Sequence, residues 1–203
     1  MSIWFAHLTH PLIKTIINPM DDKEIRQIVQ NVIQNMTGSP ESESASSSPQ
    51  PTGKKIVALG ADHGGFELKG LLKTEIESLG FVVMDVGTNS KEPVDYPDFA
   101  HSVAQIVGTD RAWRGIMIDG AGIGSCIVAN KVPGVRAGMA YDVSSATNSR
   151  EHNDTNVLTL GAGMIGVNLA KQIVKVWLTT DFGGDRHTKR VDKIKSVEKM
   201  YLK

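Results

Sequence analysis

One cysteine, Cys126, stands in 203 residues. That scarcity excludes an internal disulfide framework and a thiolate-rich zinc site, and it fits a reducing compartment. Net charge is missing as well: Lys+Arg and Asp+Glu both number 22. No overall field draws such a chain to nucleic acid or to an acidic membrane surface. No apolar run reaches the roughly 20 residues of a membrane helix. The opening residues, MSIWFAHLTHPLIKTIINP, are apolar. They lack a basic leading region and a small-residue cleavage site, and His10-Pro11 interrupts them, so they make a poor signal peptide. These absences point to a soluble intracellular protein with neither nucleic acid nor membrane as its partner.

Large apolar side chains are absent from residues 39–53, SPESESASSSPQPTG. A Ser/Pro stretch of this kind cannot bury enough surface to offset its ordering entropy, and it reads as a flexible linker. Before it, in MDDKEIRQIVQNVIQNMTG, the residues Ile25, Ile28, Val29, Val32, Ile33 and Met36 keep helical spacing on one face. Asp21 with Glu24 supplies a start signal and Gly38 a stop, which predicts an amphipathic helix over 20–38. An isolated helix of that length is marginal in water, so its stripe predicts a docking partner. A short amphipathic helix followed by a Ser/Pro linker and an enzyme resembles the encapsulation peptides that carry cargo into bacterial microcompartments. That resemblance implies a shell protein as the partner of residues 20–37. Residues 1–19 stay unassigned; translation from Met20 and a second apolar docking element are both open.

From residue 54 onward, strand-like and helix-like stretches alternate. KIVALG, FVVMDVG, RGIMID, VRAGMA and NVLTLG read as short buried strands, with helical stretches between them and a last helix over roughly 189–202. Such alternation predicts an α/β, Rossmann-like, doubly wound sheet of five parallel strands over 54–203. Ligands then bind across the carboxyl ends of the strands.

Chemistry-bearing residues collect there. The first strand runs into GADHGGF, with Asp62 and His63 at the turn; an acid in this place also serves as an ordinary helix cap. The third runs into DGAGIGS, where Asp119 is the single charge and Gly120, Gly122 and Gly124 offer backbone N–H groups to an oxyanion. Its spacing is neither a dinucleotide fingerprint nor a P-loop. His152 and Asn153 of SREHNDTNV fall between a helix and a strand, where an imidazole can transfer a proton. In GGDRHTKRV, Arg186 and Arg190 are four apart and suit a phosphate, provided the helix has begun.

GADHGGFELK, VDYPDFA, GAGIGS followed by ANK, VPGVRA, REHNDTNVL and GGDRHTKRV, in this order, resemble the ribose-5-phosphate isomerase B / galactose-6-phosphate isomerase family. The likeness spans essentially all of 54–203. It implies an aldose–ketose isomerase of a phosphorylated sugar that needs no cofactor or metal. It further implies a homodimer or tetramer whose active site is shared between subunits. By position it implies that Asp62 and His63 contact the sugar and its phosphate, Tyr96 lines the pocket, His152 opens the sugar ring, Asn153 holds the substrate, and Arg186 and Arg190 bind phosphate. In one branch the base is a cysteine where Asp119 stands, and in another a glutamate where Ser125 stands; here Asp119 is the only ionisable side chain at either place. Cys126, one residue further on, reads as a packed apolar residue. Two departures stand out. The family usually has Thr or Ser at the position of Ala121 and often a phosphate-binding Arg at that of Gly163. They leave a second reading beside the enzyme: a weak or inactive sugar-phosphate-binding subunit that works with an active paralogue.

Overall fold

The structure is a computed structural model and describes residues 54–202. The readings of 1–19 as unassigned, 20–38 as a docking helix and 39–53 as a linker lie outside the described residues.

Five parallel strands form one sheet: β1 (Ile56–Ala61), β2 (Val82–Asp85), β3 (Arg114–Asp119), β4 (Ala137–Met139) and β5 (Val157–Gly161), in the order β2-β1-β3-β5-β4. The three central strands are buried nearly throughout, whereas β2 and β4 are short edges only partly covered. This is why the central three read as continuous apolar runs. Side chains alternate between two cores, as the strand period of two requires. Val57, Leu59, Ile116, Ile118, Leu158 and Leu160 pack with Leu72 and Ile76 of α1 (Phe66–Ser78) and with Ile173 and Trp177 of α5 (Val167–Thr179). Ala58, Met117 and Val157 pack with Val103 and Val107 of α2 (Tyr96–Gly108) and with Ala129 of α3 (Ile123–Ala129). Two further helices complete the domain: α4 (Val143–Glu151), opened by a capping box between Asp142 and Ser145, and α6 (Asp185–Tyr201).

From β1 the chain first steps outward to β2 and then returns to place β3 on the other side of β1. The strand order therefore reverses between β1 and β3, and a crevice opens at their carboxyl ends. Asp62 directly follows β1 and Asp119 ends β3, so the fold brings both acids to the mouth of that crevice.

The opposite, amino end of the sheet is closed by Arg114. Its guanidinium donates to the carbonyls of Trp177, Leu178 and Thr180 at 2.5, 3.1 and 3.1 Å, and it stacks 4.0 Å from the ring centre of Trp113. The last carbonyls of a helix lack intrahelical donors; here one buried fork serves those at the end of α5. Burial, reinforced by the neighbouring Arg150, pulls the Arg114 pKa down to about 9, so the group stays charged at neutral pH. Arg114→Ala is expected to cost roughly 3 kcal/mol of stability, because it leaves buried carbonyls unpaired. Chemical unfolding of the variant beside the parent checks this.

Candidate active site

Asp119 is 4% exposed. A buried carboxylate is costly unless its oxygens are hydrogen-bonded, and both are. Oδ1 accepts from the N–H of Ala121 at 2.8 Å and from that of Gly122; Oδ2 accepts from the Ser125 N–H at 3.1 Å and from its hydroxyl at 2.5 Å. The acid thus closes the glycine turn that follows it. Neighbouring segments clasp the same turn: Ala162 N donates to Asp119 O at 2.8 Å, Gly163 N to Gly120 O at 3.0 Å, and the Tyr141 hydroxyl to Ala121 O at 2.6 Å. Gly122 has φ +78°, and a Cβ there would sit 3.0 Å from the Leu160 carbonyl carbon, so glycine is required. The Gly122 amide is committed to Asp119, which corrects its expected part in holding an oxyanion. Gly120 faces open space: a Cβ on it would meet nothing within 4 Å.

Beside the turn, Asp62 is 7% exposed and accepts the Gly65 N–H on Oδ1 at 3.0 Å, the capping role that an acid after a strand commonly takes. Parallel register pairs Ala61 with Ile118, so Asp62 and Asp119 come next, side by side. His63 is exposed, and the backbone N and O of Val94 both lie 3.2 Å from its Nδ1, which leaves Nε2 facing outward. Tyr96, at the start of α2, lies against the turn: a Cβ on Gly124 would come within 2.5 Å of its ring. Asp62, His63, Asp119, Tyr96 and the open Gly120 form one constellation at the carboxyl end of the sheet.

The remaining expected residues form a second constellation elsewhere. His152 caps the end of α4, and Asn153 follows it on the way into β5. Gly183 N donates to Glu151 O at 2.9 Å, and Arg150 Nε donates to Thr180 O at 3.3 Å. Since Arg114, the first residue of β3, also holds Thr180, this cluster lies at the amino end of the sheet. A six-residue strand rises roughly 16 Å over its length, so a sugar phosphate does not touch both constellations of one protomer.

Helix α6 begins at Asp185, earlier than the expected 189, because Gly184 at φ +63° turns the chain. Arg186 and Arg190 therefore share a helix face, both exposed and free of ion pairs among the described residues. Between them, His187 was not singled out from the sequence, although it stands in the same motif. Its ring stacks on that of His152 with centres 4.1 Å apart and planes 8° from parallel. It accepts from Arg186 Nε on Nε2 at 3.3 Å, while its buried Nδ1 has no partner. Burial first, then His152 and the two arginines, pull the His187 pKa below the ordinary imidazole range. His152, Arg186 and His187 line a cavity of 660 Å³. Asn153 donates to the Asn148 side-chain oxygen at 3.3 Å, and the Asn148 amide nitrogen lies 2.7 Å from His152 Nδ1. Burial pushes the Cys126 thiol up, in keeping with a packing residue. Among the described residues, no three His, Cys, Asp or Glu side chains are grouped to hold a metal ion.

A five-stranded parallel sheet with ionisable groups at its switch point defines a class of small-molecule α/β proteins. Within that class, the ribose/galactose isomerase family profile matches residues 57–194. The chain is 44% identical over 144 residues to ribose-5-phosphate isomerase B of Escherichia coli (strain K12), covering 71% of this chain and 97% of that protein. It is 39% identical over 140 residues to D-erythrulose-4-phosphate isomerase of Pectobacterium atrosepticum, covering 68% and 91%. The structure of Clostridium thermocellum ribose-5-phosphate isomerase B superposes with a TM-score of 0.71 at 46% identity, covering 72% of this chain and 99% of that one. The chain belongs to the ribose/galactose isomerase family.

The depressed His187 fixes a sign for pH dependence. The unfolded chain binds a proton on this ring at higher pH than the folded chain does, so stability falls as pH drops through the ordinary imidazole range. Thermal midpoints are expected to decline from about pH 7 to about pH 5, and to decline less in His187→Gln.

Proposed function

We propose that the chain interconverts ribose 5-phosphate and ribulose 5-phosphate through an enediolate, as one of the sugar-phosphate aldose–ketose isomerases. The observation that carries this is a buried carboxylate at the switch point, set between an open glycine turn and a second acid. In the proposed reaction Asp119 removes the C2 proton and returns it to C1. The free N–H groups of the turn, Gly120 and Gly124, face the charge that develops on oxygen. Asp62, His63 and Tyr96 hold the sugar on the same side. His152, with Asn153, opens the ring, and Arg186 and Arg190 bind the phosphate as charge-assisted forks.

Because these last four lie at the other end of the sheet, the reading requires a second copy to complete each site. What supports such pairing is α6. Only His187 and Val191 are buried along its 17 residues, while Ile194, Val197 and Tyr201 are 44%, 53% and 80% exposed. They border a groove of 910 Å³ that runs along the β4 edge and α4. Apolar side chains left exposed along one helix face suit burial against a second copy.

The second reading is the sugar-phosphate-binding subunit that depends on an active paralogue. Ala121 offers no hydroxyl, and Gly163, directly beside Gly120, offers no guanidinium. The four donors on Asp119 favour this reading too, whereas the second oxygen of Asp62 is without a donor among the described residues. Assay of the purified chain alone against tetrose, pentose and hexose phosphates separates the two readings: turnover of a pentose phosphate is expected. Asp119→Asn is expected to lower kcat by about 10²–10⁴-fold with KM nearly unchanged; retained turnover would move the base elsewhere, with Asp62 the next choice.

Residues 20–37 are proposed to dock on a microcompartment shell protein and carry the enzyme inside. Deletion of 1–38 is expected to leave activity and assembly intact and to abolish co-purification with shell proteins; unchanged shell association refutes the docking role.

A further inference from the structure

An ionised carboxylate offers about four lone-pair sites. In Asp119 all four are taken, by the N–H groups of Ala121, Gly122 and Ser125 and by the Ser125 hydroxyl. A base receives its proton into a lone pair, so one donor must leave before the substrate's C2 gives up hydrogen. Three of the donors are backbone N–H groups, locked by the turn and unable to accept. The fourth is a hydroxyl, which rotates about its Cβ–Oγ bond and both donates and accepts.

We propose that Ser125 is the positioning residue of the base, its hydroxyl reversing its hydrogen bond each time Asp119 takes or releases a proton. This rests on the assignment of Asp119 as base. With the carboxylate ionised, Ser125 Oγ–H donates to Oδ2. Rotation about the Cβ–Oγ bond swings the O–H off Oδ2, and Oδ2 is then open. The C2–H bond then breaks and its proton goes to Oδ2. Its electron pair forms the C1–C2 double bond, and the carbonyl π pair moves onto O1. The new Oδ2–H donates to Ser125 Oγ. In the second half the same proton passes to C1, the O2 hydroxyl proton passes to O1, and C2 becomes the carbonyl carbon. Ser125 is 0% exposed, so bulk water does not stand in for its hydroxyl.

The experiment compares the full-length parent with Ser125→Ala, Ser125→Cys and Asp119→Asn, using ribose 5-phosphate carrying hydrogen or deuterium at C2. For Ser125→Ala we expect kcat to fall about tenfold, KM to stay within about twofold, and the deuterium effect on kcat to rise. The cysteine variant, which keeps a rotatable donor but weakens the hydrogen bond, is expected to fall between, and it decides the matter if the alanine variant loses its thermal transition. Parental kcat and isotope effect in both variants overturn the proposal. So does a loss of kcat that comes with an equal rise in KM and an unchanged isotope effect. Turnover by Asp119→Asn removes the base assignment whatever Ser125 does. An inactive Asp119→Asn beside a fully active Ser125→Ala removes Ser125 alone.

Discussion

The carboxylate of Asp119, bonded to three amides and a hydroxyl of its own turn, holds the carboxyl end of β3 in one shape. The start of α3, the approach of Tyr96 to Gly124 and the contact of residues 162 and 163 with the turn all presuppose that closure. A charge in so buried a place is tolerated because every lone pair is satisfied. The same satisfaction gives the turn its rigidity and denies the acid a free site for a proton. With Asp119 as the proposed base, structure and chemistry would compete for one side chain, and the Ser125 hydroxyl is the donor that can turn away without dismantling the turn.

The fold was legible from 54 onward because each central strand is buried on both faces and so appears as an apolar run between turn signals. The places of Asp119 and Asp62 at the strand ends were legible too, since a lone charge at the end of such a run has few places to go. The start of α6 was not, because Gly184 in a left-handed conformation lets the helix begin on Asp185, a residue itself at φ +43°. Nor did spacing reveal Tyr141 or the stack of His187 on His152. Those contacts join segments 20 and 35 residues apart, and nothing local encodes them. The direction of the Gly122 amide was misjudged for a related reason. A glycine-rich turn after a strand suggests N–H groups pointing at a ligand, but a preceding acid can claim them first.

The separation of the expected residues into two constellations follows from connectivity. Every strand of a parallel sheet starts at one end and stops at the other, so residues that precede β5 and residues that follow β3 sit at opposite rims. No adjustment of loops brings His152 to Asp119 within one protomer. A chain that uses both must assemble so that the amino rim of one copy meets the carboxyl rim of another. In the proposed reaction the arginines on α6 would meet a sugar phosphate held by a different copy's acids, and one protomer alone would hold only halves of two sites. Under that proposal the exposed apolar stripe of α6 would have a role beyond stability, because burying it against a second copy would also place Arg186 and Arg190. In the proposed assembly Ile194, Val197 and Tyr201 would hold that helix against the second copy, and the guanidiniums can be aimed only as well as the helix beneath them is held.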